Sequence, residues 1–598
     1  MSRLRRFISA DAFKKLLFSG AGLALYASLI AIGCMSFTGC ATLEHKHQGV
    51  NEAQDTGDIR HIPPSKSYQY YLEAKALEQD GEFSKAIDLM RLAIAQDDTS
   101  SKLKLDLAIL LVTENKLDEA KRQLLKAIKL EPSFVEPISL LGEIAFFNNE
   151  FDQAVVQLKK VLLFDPKNHS AIKRLGDIIF MLHGPNATIE FFNKQLANDP
   201  YNLYALSRLV ILYQMNRQAE KMQQTLIQLL GFDPEEGAVL DDLIRWYIQS
   251  HNIEIGIKLL LEIKDQIPPT SLIPLKLGKL YLAINDLEKA AKAFEEAVSY
   301  DIWDNRIASD SGFSYLEQGF PLKAAEVFRK LAEPDNNGYS IFLWAHSLLV
   351  AKQYEQAIEL FEKLSPNDYF YLLAKSEQAL CLWELKKQQE ADEQISRLLE
   401  DNSLNWRIYP IVAEYYKNSN RINKSIATLQ NGLIFFPDDI ELLYELGQYL
   451  EINNHPRMAL ETMQKVLKIN RYHAEALNFV GYSLSQMNEN LEQAEMMIKR
   501  AMALRPGEAY IIDSLGWVYF LSGQFDKALR WLSLAVMLEP YEPEILAHFA
   551  MALKKNGHEI KLEEILAQLS LMLSGNDDLQ KNFRQDYPEI WELIENKS

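Results

Sequence analysis

An all-helical solenoid of paired helices is the fold this chain predicts, and three recurrences predict it. Pro132, Pro166, Pro200, Pro234 and Pro268 stand 34 residues apart in a chain of 598 residues with 21 prolines, an interval too regular for chance. Small residues keep the same interval, as in Ala86, Ala120 and Ala154, and again in Gly256, Ala290 and Ala324. A second small series, Gly278, Gly312, Gly447, Gly481 and Gly516, has bulky partners at fixed offsets, among them Tyr281, Phe294, Tyr315, Phe328, Tyr519 and Leu532. A fixed period of this length is the mark of a repeat architecture.

One unit shows how the period becomes structure. In Ser271–Asp304, Leu277, Gly278 and Tyr281 recur at helical spacing, Asn285–Asp286 interrupts as a turn, and Leu287, Ala290, Phe294 and Ala297 resume the spacing. That is two amphipathic helices joined by a short turn. Gly278 and Ala290 are small because the helices cross there. A closing proline cannot continue a helix and ends the second one. About fifteen such units run from Ser67 to about Leu573, with one residue missing near Gly338 and one added near Asn490. Thr188 replaces the expected Ala in one unit, and Leu562 replaces it in the last, which is degenerate as a terminal cap should be.

Small residues at a helix crossing, aromatics beside them and a closing proline resemble the tetratricopeptide repeat. The resemblance implies a right-handed superhelical solenoid of antiparallel helix pairs. It also implies that the first helix of each pair lines a concave face where peptides or partner domains bind. It is almost silent on function, because such arrays serve many partners.

The N-terminus has its own pattern. Residues 1–15 are basic and residues 16–37 nearly all apolar or small, the layout of a secretion signal. The run meets Phe37-Thr38-Gly39-Cys40-Ala41-Thr42. This resembles a bacterial lipoprotein processing site, with a bulky residue, two small ones and the cysteine that is lipidated. The resemblance implies a signal peptide at 1–39, a lipid on Cys40 and a flexible polar tether over 40–66. Phe37 stands where Leu is usual, Cys34 offers a second site, and an uncleaved membrane anchor is a third reading of so long an apolar run. In that family an Asp after the cysteine tends to retain the protein at the inner membrane. Ala41 therefore fits the outer membrane, with the inner membrane as the alternative.

Charge and chemistry narrow the function. The net charge is −19, and Arg3, Arg5, Arg6, Lys14 and Lys15 against Asp11 make the first 39 residues +4, leaving −23 for the rest. So acidic a chain repels phosphate backbones and anionic lipid, which argues against nucleic acid as a partner and for solubility or the steering of a basic one. Cys381, in the apolar run ALCLW, reads as a core thiol, and the three cysteines give no disulfide framework or metal site. His45, His47 and His61 read as solvated tether residues. Ser101–Lys104 matches a Ser-x-x-Lys pair, but on a repeat helix where such pairs arise by chance. No phosphate loop, zinc motif or nucleophile elbow is present, so neither an enzyme nor a cofactor is expected.

Register places the candidate binding surface. Residues a turn from the buried small line include Arg245 in the N-terminal half and Trp383, Tyr444, Asn478, Tyr482, Asp513, Trp517 and His548 further on. Polar groups beside large aromatics make a recognition surface, since aromatic anchors dominate hot spots. The competing reading is that Tyr482 and Trp517 pack between repeats while Asn478 and Asp513 bridge neighbouring helices.

The array is expected over 67–575, and the tail 576–598, with Phe583, Tyr587, Ile590 and Trp591, as a helix capping the open end. The layout of lipoprotein start, tether and long array resembles large lipoproteins of this repeat in Gram-negative bacteria. It implies a periplasmic adaptor at the outer membrane that binds a protein, such as an envelope protease with its substrates. The alternative is a structural or assembly part of a polysaccharide-export, secretion or pilus machine. The sequence leaves the oligomeric state open.

Overall fold

The computed structural model describes residues 65–595, apart from residues 236, 301–304, 336 and 575–576. The expected signal peptide, Cys40 and nearly all of the expected tether lie outside the described residues. Among the described residues there are 31 helices and no strand. The helix His169–Asn198 is two repeat helices merged across Gly184, whose φ is 76° and which precedes Pro185. Counted so, fifteen helix pairs run from Ser65 to Leu573. The chain divides into two compact units. The described part of the first holds three pairs, ending at Phe164; the second, from Lys167, holds twelve pairs and two terminal helices.

The prolines act through the residue before them. Helices end at Leu130, Phe164, Asn198 and Phe232, each followed by one non-helical acidic residue and then the proline. The proline ring disfavours the α conformation at the preceding residue, which therefore becomes the cap. The next first helix is then capped by a side chain. Asn168 accepts from the N–H of Ala171, Asn202 from that of Ala205 and Asp439 from that of Leu442.

The turn inside each pair carries the period too. Asn115, Asn149, Arg217, His251, Asn285, Lys352, Lys386, Asn420, Asn454 and Asn488 have positive φ, and Gly81, Gly319, Gly523 and Gly557 continue the series. The step from Gly319 to Lys352 is 33 and that from Asn488 to Gly523 is 35, which are the deletion and insertion expected from sequence. Asn and Gly dominate because they tolerate the left-handed region.

Helix crossings explain the small residues. A Cβ built on Gly278 would lie 2.3 Å from Phe294 Cε1, and one on Gly516 2.6 Å from Leu532 Cγ. Ala290, Ala120 and Ala154 are fully buried. Thr188 is tolerated at the same register because its hydroxyl donates to the Gly184 carbonyl at 2.9 Å. Cys381 is a free, fully buried thiol, and burial pushes it well above its ordinary range.

The tail forms two helices, Asp577–Asp586 and Pro588–Glu595, where one was expected; Pro588 starts the second. Phe583, Ile590 and Ile594 are buried. Within the second unit the array also meets itself. The Arg245 guanidinium pairs with Glu539 at 3.1 Å across 294 residues of chain, His251 Nε2 lies 3.0 Å from Ser574 Oγ, and Trp246 faces Tyr541. Arg245, expected on a free inner face, is thus engaged in this contact. Beside it lies a cavity of about 1220 Å³ lined by Met181, Met215, Trp246, Tyr541, Phe549 and Met572, among others. Among the described residues no helix is long and apolar enough to cross a membrane.

Candidate protein-binding groove

Besides Arg245, the seven residues singled out by register fall into three settings. The first is a sealed cluster. Asp513, on the helix Ala509–Leu521, is fully buried, and His548, on Pro543–Lys555, is 1% exposed. His548 Nδ1 lies 2.9 Å from an Asp513 carboxylate oxygen. Trp517, 8% exposed, stacks on His548 with centroids 4.1 Å apart and on Phe520 at 5.0 Å. The tail closes over them: the Tyr587 ring meets His548 edge-on at 5.6 Å, and its hydroxyl donates to Glu544 at 3.1 Å. Burial of the pair is possible because His548 Nδ1 and the Asp513 carboxylate find each other in adjacent first helices, while Trp517 Nε1 has no hydrogen-bond partner among the described residues. These three residues therefore form part of the wall, covered by the chain's own C-terminus.

Trp383 occupies the second setting. It sits in the last turn of Tyr371–Glu384, with the Arg421 guanidinium 3.7 Å from its ring centroid. Arg421 also approaches the Tyr416 ring at 4.8 Å and pairs with Asp392 at 2.8 Å. A cation already covers one face of the indole.

The third setting joins Tyr444, on Ile440–Ile452, to Asn478 and Tyr482, on Ala474–Gln486. Tyr444 is partly buried and stacks on His473 with centroids 5.0 Å apart; burial pushes its phenol well up. The Tyr482 hydroxyl accepts from Gln486 Nε2. Asn478 Oδ1 is buried with no hydrogen-bond partner among the described residues. The sequence reading missed Glu445, next to Tyr444. Burial raises its carboxyl to about 7, and Glu414 adds to the rise while Lys417 opposes it. Glu414 is itself engaged, accepting from the Tyr449 hydroxyl at 2.8 Å and pairing with Lys417. A glutamate in a helix otherwise patterned for packing was the available signal. Chemically, this stretch offers hydrogen-bond acceptors and aromatic faces, the complement of a donor-rich or basic segment.

The comparisons agree with the repeat and go little further. The family model described as Tetratricopeptide repeat matches residues 275–301. A TPR repeat-containing protein of Pseudomonas aeruginosa is 27% identical over 198 residues, which is 33% of this chain and 33% of that protein. A protein O-mannosyl-transferase of Homo sapiens is 21% identical over 286 residues, 47% of this chain and 31% of that one. The chain thus spans about a third of the length of each of these relatives. A solved structure of Naa15/Naa10 bound to HypK-THB is 12% identical, covering 89% of this chain and 99% of the matched one with a TM-score of 0.33. Family model, relatives and helix pairing support a tetratricopeptide solenoid, a fold of protein–protein interaction scaffolds.

Proposed function

We propose that this protein is a non-enzymatic scaffold, tethered by a lipid on Cys40 to the outer membrane and facing the periplasm. It captures a protein or peptide on the first-helix face around Tyr444, Glu445, Asn478 and Tyr482. Tethering would act by raising local concentration and fixing geometry, with no new contact chemistry required. The partner we propose is a periplasmic protease with its substrates, on the strength of the lipoprotein-like start followed by a long array. The observation that supports this patch over the others is that its aromatic side chains, Tyr444 and Tyr482, are only partly buried and are not sealed under the tail. The acceptor Asn478 Oδ1, buried without a partner among the described residues, stands beside them, although Trp517 Nε1 and Arg421 Nη2 are likewise unpartnered in the other two settings.

The test is capture of partners by the full chain from envelope extracts, comparing wild type with Tyr444→Ala combined with Tyr482→Ala. Loss of a specific partner at unchanged helicity supports the patch, and unchanged capture refutes it. Trp517→Ala is unsuitable for this purpose, because truncating so buried an aromatic costs ~3–5 kcal/mol of stability by itself. Labelling with radioactive palmitate tests the anchor: continued labelling of Cys40→Ser would refute Cys40.

A further inference from the structure

The first unit carries a basic and apolar surface on this acidic chain. Its second helices Leu117–Leu130 and Phe151–Phe164 expose Arg122, Lys126, Lys129, Lys159 and Lys160, none of which makes an ion pair with another described residue. The acidic residues of these helices, Asp118, Glu119 and Asp152, are confined to their first turns, and Glu119 is held by Arg91 at 2.9 Å. Among the cations stand large apolar side chains turned to solvent: Leu125 at 59% exposure, Val156 at 52%, Leu163 at 79% and Phe164 at 51%.

The two kinds of residue alternate in register. Thirty-four residues separate Arg122 from Val156, Leu125 from Lys159, Lys126 from Lys160 and Lys129 from Leu163. Each position that is basic on one helix is apolar or basic on the next, so one face interleaves both. Cations in the last turn of a helix balance its dipole, which explains Lys129 but not Lys126, Lys159 or Lys160, nor the exposed Leu163 and Phe164. Later helices vary at these positions. Pro456–Ile469 keeps Lys465 and Lys468, and Leu491–Leu504 keeps Lys499 and Arg500, which are engaged by Glu495 and the Arg471 carbonyl, whereas two others carry one cation or none. The helix Gln388–Asp401 presents Glu393, Ser396, Arg397, Glu400 and Asp401 there. The helix Ile422–Phe435 presents Ile434, 74% exposed, and Phe435 with no cation beside them.

We infer that this face of the first unit lies against an anionic bilayer surface. Exposed Leu and Phe set among Lys and Arg are the composition of interfacial membrane-binding faces, in which the apolar groups enter the headgroup region and the cations meet lipid phosphates. The inference shares with the proposed function only the anchor: Ser65 follows Cys40 by 25 residues, so this unit is the part of the array nearest Cys40 along the chain. It is independent of the groove. Locally it reverses the expectation that so acidic a chain is repelled by anionic lipid.

The test places a benzophenone amino acid at position 163 or 434 of the full chain. Each is mixed with vesicles of phosphatidylglycerol and phosphatidylethanolamine, or of phosphatidylcholine alone. After irradiation, flotation reports attachment and mass spectrometry reports phospholipid adducts. The expected result is phospholipid adducts from position 163 on the anionic vesicles, and few from position 434. Reversing Lys126, Lys129, Lys159 and Lys160 to Glu should lower the position 163 yield at least about tenfold, since each basic residue near an anionic surface contributes a factor of about five. These positions are exposed, and an unchanged circular dichroism melt confirms that the variant folds. Flotation without position 163 adducts overturns the inference and leaves the anchor standing; no flotation overturns both. Equal adducts at both positions, or a yield indifferent to charge reversal, also overturn it. So does a position 163 that, in envelopes, couples only to protein.

Discussion

Replacing Gly278 by Ala tests the physical basis of the period most closely. The added methyl carbon would sit 2.3 Å from Phe294 Cε1, 2.6 Å from Cδ1 and 2.7 Å from Cζ. Carbon atoms rest ~3.5–4.0 Å apart, so the ring must retreat by more than ~1 Å. It has little room: Phe294 is buried and packs edge-on against Tyr315 of the next pair at 5.0 Å. Overpacking of this kind costs ~1–3 kcal/mol, against a gain of up to ~1 kcal/mol from alanine's better helix propensity. The expected net loss is about 1–2 kcal/mol. Arrays need not unfold in a single step, so the readout is local: amide exchange over residues 272–300 by mass spectrometry, beside a urea titration followed by circular dichroism. Protection should fall in this pair and its neighbours, and Phe294→Leu added to Gly278→Ala should recover part of it. A neutral or stabilising Gly278→Ala would refute the claim that the crossing demands a missing side chain.

Other perturbations follow the same reasoning. Gly557, at φ 71° with nothing within 4 Å of a built Cβ, isolates the backbone effect; Gly557→Ala should cost ~1–2 kcal/mol in a urea titration, while Lys386→Gly at φ 65° should stabilise. Glu445 carries a carboxyl raised by burial to about 7, so its folded form holds a proton that the unfolded chain has released. Stability should therefore decline as pH rises from the ordinary carboxyl range to about 7. Glu445→Gln should flatten that decline and raise the urea midpoint at pH 8 relative to wild type. Arg245→Ala, which removes the pair with Glu539, should increase amide exchange at residues 238–249 and 538–541 together; a change at only one segment would contradict the contact.

The repeat was legible because its determinants are local. Prolines such as Pro132 and Pro166 end their helices through the residue before them, and crossing glycines such as Gly278 and Gly516 answer a bulky side chain sixteen residues on, Phe294 and Leu532. Even the slips at Lys352 and Gly523 could be placed from spacing alone. The turn residues were less legible where Arg217, His251, Lys352 and Lys386 accept a left-handed conformation, because tertiary packing overrides their preference. For the candidate site, register told which helix face a side chain occupies but not what covers it. Asp513, Trp517 and His548 are buried together, and His548 lies against Tyr587, a residue 39 positions further on. The self-contact through Arg245 depends on curvature accumulated over 294 residues, which no single unit encodes. Glu445 escaped notice because charge on a packing helix is ordinarily read as a solvated edge, and only the fold shows its carboxyl being desolvated.

The most direct test of a tethered scaffold is cross-linking within intact cells from a photoreactive residue at position 444, with a second probe at the exposed Leu404 as reference. The proposal expects one dominant protein adduct from position 444, a periplasmic protease or its substrate, absent from position 404 and diminished by Tyr482→Ala. Equal adduct patterns from both positions, or adducts only with cytoplasmic proteins, would contradict it.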